Sequence, residues 1–354
     1  MSKINKKYFY SFVEKNFLFL SVLSFLLGFL LQHIGIIIPN SYVNAPSNVW
    51  VLGGLTESWL NVSYFDEGLV RRAAVGTVLS PFPEDVRSII YVFISAFSVL
   101  FIILALSNRI NEHKYSKYLR ILIIFTPFGL LNVGWDFGRL DWINFSLLYV
   151  SIYLSKNRNF LYSSIVSSLG IWVHEAFLFY GIPLVVTNIV STSGKPLYST
   201  LKYLFMPTLL ALYLLFEGNP TTVDAYGANR GLFQYQGFDI LVYSLSAYYI
   251  FLISIFHFNY SRKENYLHLI APFGTLILFV LGIDYMRWIT IFFFTSIFAL
   301  ITHKESSNRP SAPRYIGVLV LLSISLVPFG PLGVVKPFPA FRDFLQLLSK
   351  AGLY

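Results

Sequence analysis

The sequence predicts an all-α polytopic membrane protein, and three observations carry that prediction. The chain of 354 residues is 56% hydrophobic and 12% charged, against about 25% charged residues in soluble domains. Its apolar residues fall in long runs, and a run of about 20 such residues crosses a bilayer. Its net charge of +9 gathers in segments that those runs place on one side, as the positive-inside rule requires of a cytoplasmic face.

The elements follow in order. Phe17 to Ile38 is an unbroken apolar run after a segment that carries Lys3, Lys6, Lys7 and Lys15. A secretory signal has a shorter apolar core and a small-residue cleavage site, so this run reads as a retained first span with a cytoplasmic N-terminus. A long first periplasmic loop over 39–87, carrying interfacial helices, comes next. Further spans are predicted at about 88–107, 121–134, 142–155, 160–173, 176–190, 203–216, 238–258, 265–282, 288–302 and 315–331, which makes about 11 transmembrane helices in one domain covering 1–354. The stretch 160–190 reads either as one long tilted helix or as two helices meeting near His174–Glu175, and the second is preferred. A second larger periplasmic loop covers 217–237. Over 336–354, Phe341, Phe344, Leu345, Leu348 and Leu353 recur at roughly helical spacing, as in a helix lying in the outer interface. The C-terminus is then periplasmic. There is no repeat of fixed period.

Charge supports this topology. The segments assigned to the inner side hold 17 of the 26 basic residues, against only Glu14, Glu112, Glu264 and Glu305. The basic surplus is therefore an inner collar, and nucleic acid drops out as a partner. Cysteine is absent, which excludes disulfides, thiolate metal sites and a cysteine nucleophile.

The unusual charges collect at the outer ends of the spans. The first loop holds Asp66, Glu67, Arg71 and Arg72 in "YFDEGLVRR". "GWDFGRLDW" brings Asp136, Arg139 and Asp141, and "VHEAF" brings His174 and Glu175. The loop 217–237 carries Asp224 and Arg230, and "GIDYMRW" carries Asp284, Tyr285 and Arg287. Ionisable groups at headgroup depth cost a few kcal/mol unless paired or hydrated. One wet cavity opening outward satisfies all of them.

Each cluster also has a plainer reading. The first-loop charges suit an interfacial helix whose arginines snorkel to lipid phosphates. The tryptophans of "GWDFGRLDW" suit an interfacial belt, and Asp284 and Arg287 suit an i, i+3 pair on one helix face. His174–Glu175 is not a zincin motif, because position 178 is Leu. No cofactor is expected, and a divalent cation, though compatible with the carboxylates, has no ligand motif to hold it. Glu84 and Asp85 read as first-turn acids favoured by a helix dipole, and Asn61-Val62-Ser63 matches a glycosylation sequon.

Several carboxylates and arginines in one outward cavity suit a substrate that is both polyhydroxylated and anionic. Arginine matches phosphate oxygens with a planar fork. A carboxylate can take the proton of an attacking sugar hydroxyl. The enclosing membrane points to a lipid-borne substrate, and polyprenyl-phosphate or polyprenyl-diphosphate sugars meet all three demands.

At this point the layout resembles the integral-membrane glycosyltransferases of the GT-C type. They begin with a span and a long first extracytoplasmic loop that carries an acidic catalytic base. A second acidic motif follows in the next outer loop. "YFDEGLVRR" stands at the first position and "GWDFGRLDW" at the second. The chain also resembles the Phe-, Leu- and Tyr-rich polymerases of bacterial O-antigen and capsule clusters. The paired R-x10-G signature of some polymerases is absent: Phe82, Val150, Leu241 and Phe298 stand eleven residues after Arg71, Arg139, Arg230 and Arg287.

The resemblance implies a transferase of the bacterial inner membrane working at its periplasmic face, and a repeat-unit polymerase in particular. Asp66 is the first choice for base, with Glu67, Asp141 and Glu175 as alternatives. Arg71, Arg72, Arg139, Arg230 and Arg287 are phosphate candidates. His174 orients a hydroxyl or shuttles a proton, and Asp136, Asp284 and Tyr285 line the substrate. The expected partners are a polyprenyl-linked glycan donor and acceptor, membrane lipid, and a chain-length regulator or other polysaccharide-assembly protein. Two competitors stay open: transfer of a single sugar from a polyprenyl monophosphate, and transport or flipping of an anionic glycolipid. A non-catalytic scaffold is a third class.

Overall fold

A computed structural model describes residues 3–33, 60–67, 72–111, 116–216, 271–275, 277–278 and 285–302. Among these, every regular element is helical. The expected spans at 238–258 and 315–331, the loop 217–237 and the C-terminal helix at 336–354 lie outside the described residues, as does Asp224.

α1 (Lys3–Lys15) and α2 (Phe17–His33) meet at a 78° bend. The second begins where the first apolar run begins. Two short helices, α3 (Tyr64–Glu67) and α4 (Ala74–Leu79), form an arch before α5 (Glu84–Asn111). α5 starts on Glu84 and Asp85, where carboxylates favour the positive end of the helix dipole. Its 28 residues extend about 42 Å. Among the described residues it is the one helix long and apolar enough to cross a membrane alone, and the number rises to three if each bent helix pair is a single span.

The span expected over 121–134 is broken. α6 (Ser116–Phe125) ends at Thr126, which is extended (φ −91, ψ 146) because Pro127 follows. A kinked turn, Pro127–Leu131, then leads into α7 (Asn132–Trp135), with a bend of 48° across the break. α2 crosses this break backbone to backbone. A Cβ on Gly28 would stand 1.9 Å from the Leu131 carbonyl oxygen, and one on Gly134 would stand 1.9 Å from that of Phe25. Such contact between small residues drives helix association where no hydrophobic gradient exists.

Four helices then run up and down: α8 (Asp141–Lys156), α9 (Phe160–Val173), α10 (Phe177–Thr192) and α11 (Pro196–Phe216). The preferred division of 160–190 into two helices matches the break at His174–Ala176. A buried hydroxyl ladder ties three of them together. Ser151 of α8 lies 2.8 Å from Ser163 and 2.7 Å from Ser167 of α9, and the Tyr203 hydroxyl of α11 donates to Ser167 at 2.7 Å. A 3₁₀ turn, Ala271–Thr275, rests on α10 and falls inside the span expected at 265–282. α12 (Tyr285–Thr302) closes the core, with Phe293, Phe294, Ile297 and Phe298 fully buried against Phe128, Trp142 and Phe145.

Candidate functional site

The helix connections bring one end of α5, α8, α9, α10 and α12 together. The two described segments of the arch, 60–67 and 72–83, are fastened over that end. The Asn61 side-chain amide donates to Glu84 at 2.8 Å, and the Tyr64 backbone N–H donates to the Thr77 hydroxyl at 2.8 Å. The Tyr64 ring stacks on Trp172, with centroids 5.9 Å apart and planes at 16°. Desolvation raises the Tyr64 phenol to about 12.

Fastened in this way, the arch delivers Arg72 to Glu175. Arg72 Nε donates to the two carboxylate oxygens at 3.0 and 3.2 Å, and Nη2 donates to Oε1 at 2.6 Å. Arg72 has a φ of +63. This left-handed conformation costs a non-glycine residue about 1 kcal/mol or more, and such strain tends to cluster at functional sites.

Glu175 lies in the turn between α9 and α10, just after the extended His174 (φ −158, ψ 122). Asn144 of α8 holds that turn by donating to the His174 carbonyl at 3.2 Å. Asp141, the first residue of α8, is 1% exposed. Arg287 in the first turn of α12 grips it with Nε and Nη2, the latter 3.0 Å from Oδ1. Nη2 also lies 2.8 Å from His174 Nε2, and the guanidinium sits 4.8 Å from the centroid of the Trp288 ring.

A continuous chain of side chains therefore runs Arg72–Glu175–His174–Arg287–Asp141. The two guanidiniums and two carboxylates cancel. Burial, reinforced by Arg72 and Arg287, pushes the His174 imidazole down to about 3 against the pull of Glu175 and Asp141, so the ring is neutral near pH 7. Its contact with Glu175 at 3.4 Å is then no ion pair. The Ala176 backbone N–H donates to His174 Nδ1 at 3.1 Å, and the Arg287 guanidinium, which only donates, faces Nε2 at 2.8 Å; a neutral imidazole has one acceptor nitrogen, so these two donors compete for it. Burial alone would raise the Glu175 carboxyl, but the Arg72 guanidinium outweighs it and, with His174, holds the group well below the usual carboxylate range.

Asp136 and Arg139 occupy the turn leading into Asp141, where Arg139 is within electrostatic reach of that carboxylate. Tyr91 of α5 positions this turn by donating to the Gly138 carbonyl at 2.6 Å, and Gly138 supplies a φ of +89 there. Asp136 is buried, and Asn132 donates to it at 3.4 Å and to Thr290 of α12 at 2.8 Å.

Five of the residues singled out from sequence thus meet: Arg72, Asp141, His174, Glu175 and Arg287. Asp66 takes another role. It is exposed, accepts from the Ser63 hydroxyl, and returns its own backbone N–H to that hydroxyl at 3.3 Å. This reciprocal pair is a helix-capping arrangement that starts α3. Asp66 therefore lies apart from the five residues that meet. Glu67 closes α3 and Tyr285 opens α12, while Arg71, Arg230 and Asp284 lie outside the described residues. Sequence reasoning passed over Tyr91, Asn132, Asn144 and Thr290. The two asparagines carried a usable signal, since a buried amide in an apolar run needs a partner. Among the described residues no group of three or more His, Asp or Glu could hold a metal ion.

No family model, no curated protein and no solved structure matches this chain.

Proposed function

We propose that this protein is a glycosyltransferase embedded in the bacterial inner membrane. In this reading it acts at the periplasmic face on polyprenyl-(di)phosphate-linked sugars, most specifically as a repeat-unit polymerase of a surface polysaccharide. About eleven crossings, with the N-terminus inside and the C-terminus outside, belong to the same proposal. The observation that carries it is the five-residue chain, which joins two carboxylates, two guanidiniums and a neutral imidazole from four distant segments.

In the proposed step a Glu175 oxygen takes the proton of the acceptor hydroxyl. The acceptor's hydroxyl oxygen, freed of that proton, bonds to the anomeric carbon of the donor sugar. The bond from that carbon to the phosphate oxygen breaks, and its electron pair leaves on the (di)phosphate. Arg72 binds the growing negative charge, as electrostatic stabilisation of a leaving group requires. Arg287 fixes Asp141 and His174 beside it. His174, neutral, packs beside Glu175 with Nδ1 3.4 Å from its carboxylate.

The test is the full chain reconstituted in vesicles with a polyprenyl-diphosphate-linked glycan as both donor and acceptor. Mass spectrometry should show products longer by whole repeat units, and Glu175→Gln should abolish them. Addition of one sugar from a polyprenyl-monophosphate donor would select the single-transfer variant. Glycolipid that changes leaflet with its mass unaltered would sink the enzyme reading. That last outcome has its own structural support: the broken helix at Thr126–Pro127 with buried Asn132 beside it is a feature of carriers.

A further inference from the structure

The two ion pairs of the site are built differently. Asp141 and Arg287 sit on the first turns of α8 and α12, with side chains 2% and 11% exposed. Arg287 is engaged on three sides, by Asp141, His174 and the Trp288 ring. Arg72 and Glu175 sit on connecting segments instead, with side chains 24% and 26% exposed. Arg72 is also held at a φ of +63 while it reaches across to Glu175. One pair is locked into helix ends, and the other can be reached from outside and carries backbone strain.

We propose that Arg72–Glu175 is an exchangeable pair: an entering phosphate or diphosphate takes the Arg72 guanidinium from Glu175, and the released carboxylate becomes the working base. This inference deepens the transferase reading and rests on it for the role of Glu175. The exchange is chemically matched. The two nitrogens that Arg72 presents to a carboxylate fit two phosphate oxygens equally well. A diphosphate brings more negative charge than the single carboxylate it displaces. Glu175 is a poor proton acceptor while the guanidinium holds it, and a better one when the anion has drawn that charge away. The site thus withholds its base until the anionic end of the substrate has arrived. Arg287 cannot exchange in this way, because leaving Asp141 would strand a buried carboxylate. Selection for the anion therefore falls to Arg72.

Inorganic pyrophosphate is the probe, titrated calorimetrically into the full chain in nanodiscs of neutral lipid. Glu175→Gln removes the internal competitor and should tighten pyrophosphate binding at least tenfold. Glu175→Asp keeps the charge but withdraws the carboxylate by one methylene. It should tighten binding several-fold, which separates release of Arg72 from a general loss of negative charge. Arg72→Gln should weaken binding at least tenfold. If both Glu175 variants bind pyrophosphate as weakly as the wild type or more weakly, the exchange is overturned, and Glu175→Asp decides alone should the glutamine variant fail to fold. Glycan products are assayed on the same wild-type preparation. Tightened binding without any product would keep the exchange and discard the transferase, whereas product without tightening would do the reverse.

Discussion

The two ends of the helix bundle handle charge in opposite ways. At the end where α5 finishes and α8 gives way to α9, the cations Lys15, Lys117, Arg158, Lys195 and Lys202 are all exposed. They need no partner. Arg120, a buried cation there, faces Glu14 at 3.2 Å and lies over the Phe17 ring. At the other end, about 40 Å away along α5, acids and arginines alternate along one buried chain. An exposed collar with an excess of cations is what the positive-inside rule places at a cytoplasmic membrane surface. Alternating buried charge does not help orientation and carries a desolvation penalty. The proposed chemistry belongs to the second end, where the burial of charge needs a reason, and the first end needs none.

Mutations sharpen this contrast, and the largest effect is expected at Arg287. Arg287→Ala leaves Asp141 charged and buried, and breaking such a pair costs about 3–5 kcal/mol. Thermal unfolding in detergent should show the loss directly, and a midpoint within error of wild type would mean that the buried pair does not hold α8 to α12.

The pH response comes next. The folded pKa of His174 is depressed, from the ordinary 6.5 to about 3, so on acidification the unfolded chain takes up its proton first. The stability is complete above pH 6.5 and falls as pH drops towards 3, with a slope of at most about 1.4 kcal/mol per unit. Glu175, also depressed, adds to the loss only below its ordinary 4.5. Unfolding measured between pH 7 and 5 should therefore show the slope in wild type and a flatter line in His174→Gln. Equal slopes would remove His174 from the account.

Arg72→Gln is expected to change stability by only about 1 kcal/mol, because a pair exposed by about a quarter is screened by water. Product formation should nevertheless disappear. A variant that melts early and still makes product would invert the assignment and make Arg72 structural. The smallest effect is at the opposite end. Lys195→Gln lies on the exposed collar and should move the unfolding free energy by no more than about 0.5 kcal/mol, with product unaltered.

The sequence carried most of the described helices, because apolar runs are set by local composition. α9 matches the predicted 160–173, and the interruption at His174–Glu175 was visible as two polar residues between two apolar runs. The break at Pro127 was less visible, since its flanks are apolar on both sides and only the proline marks it. The partner of Asp66 was not legible, because a carboxylate followed by arginines suggests an ion pair, while Ser63, which it meets, carries no charge.

From the sequence alone came the helical class, the polar residues worth watching and the excess of cations in certain connections, all of which depend on residues near one another in the chain. Only the tertiary structure decided the partners. Arg72 pairs with Glu175, 103 residues away, rather than with the neighbouring Asp66, and Arg287 pairs with Asp141, 146 residues away. The reason is physical. An ion pair inside a bundle forms between groups that helix packing brings within about 3 Å, and packing at Gly28, Gly134 and the serine ladder follows from shape and close contact, which the local pattern of charges does not encode.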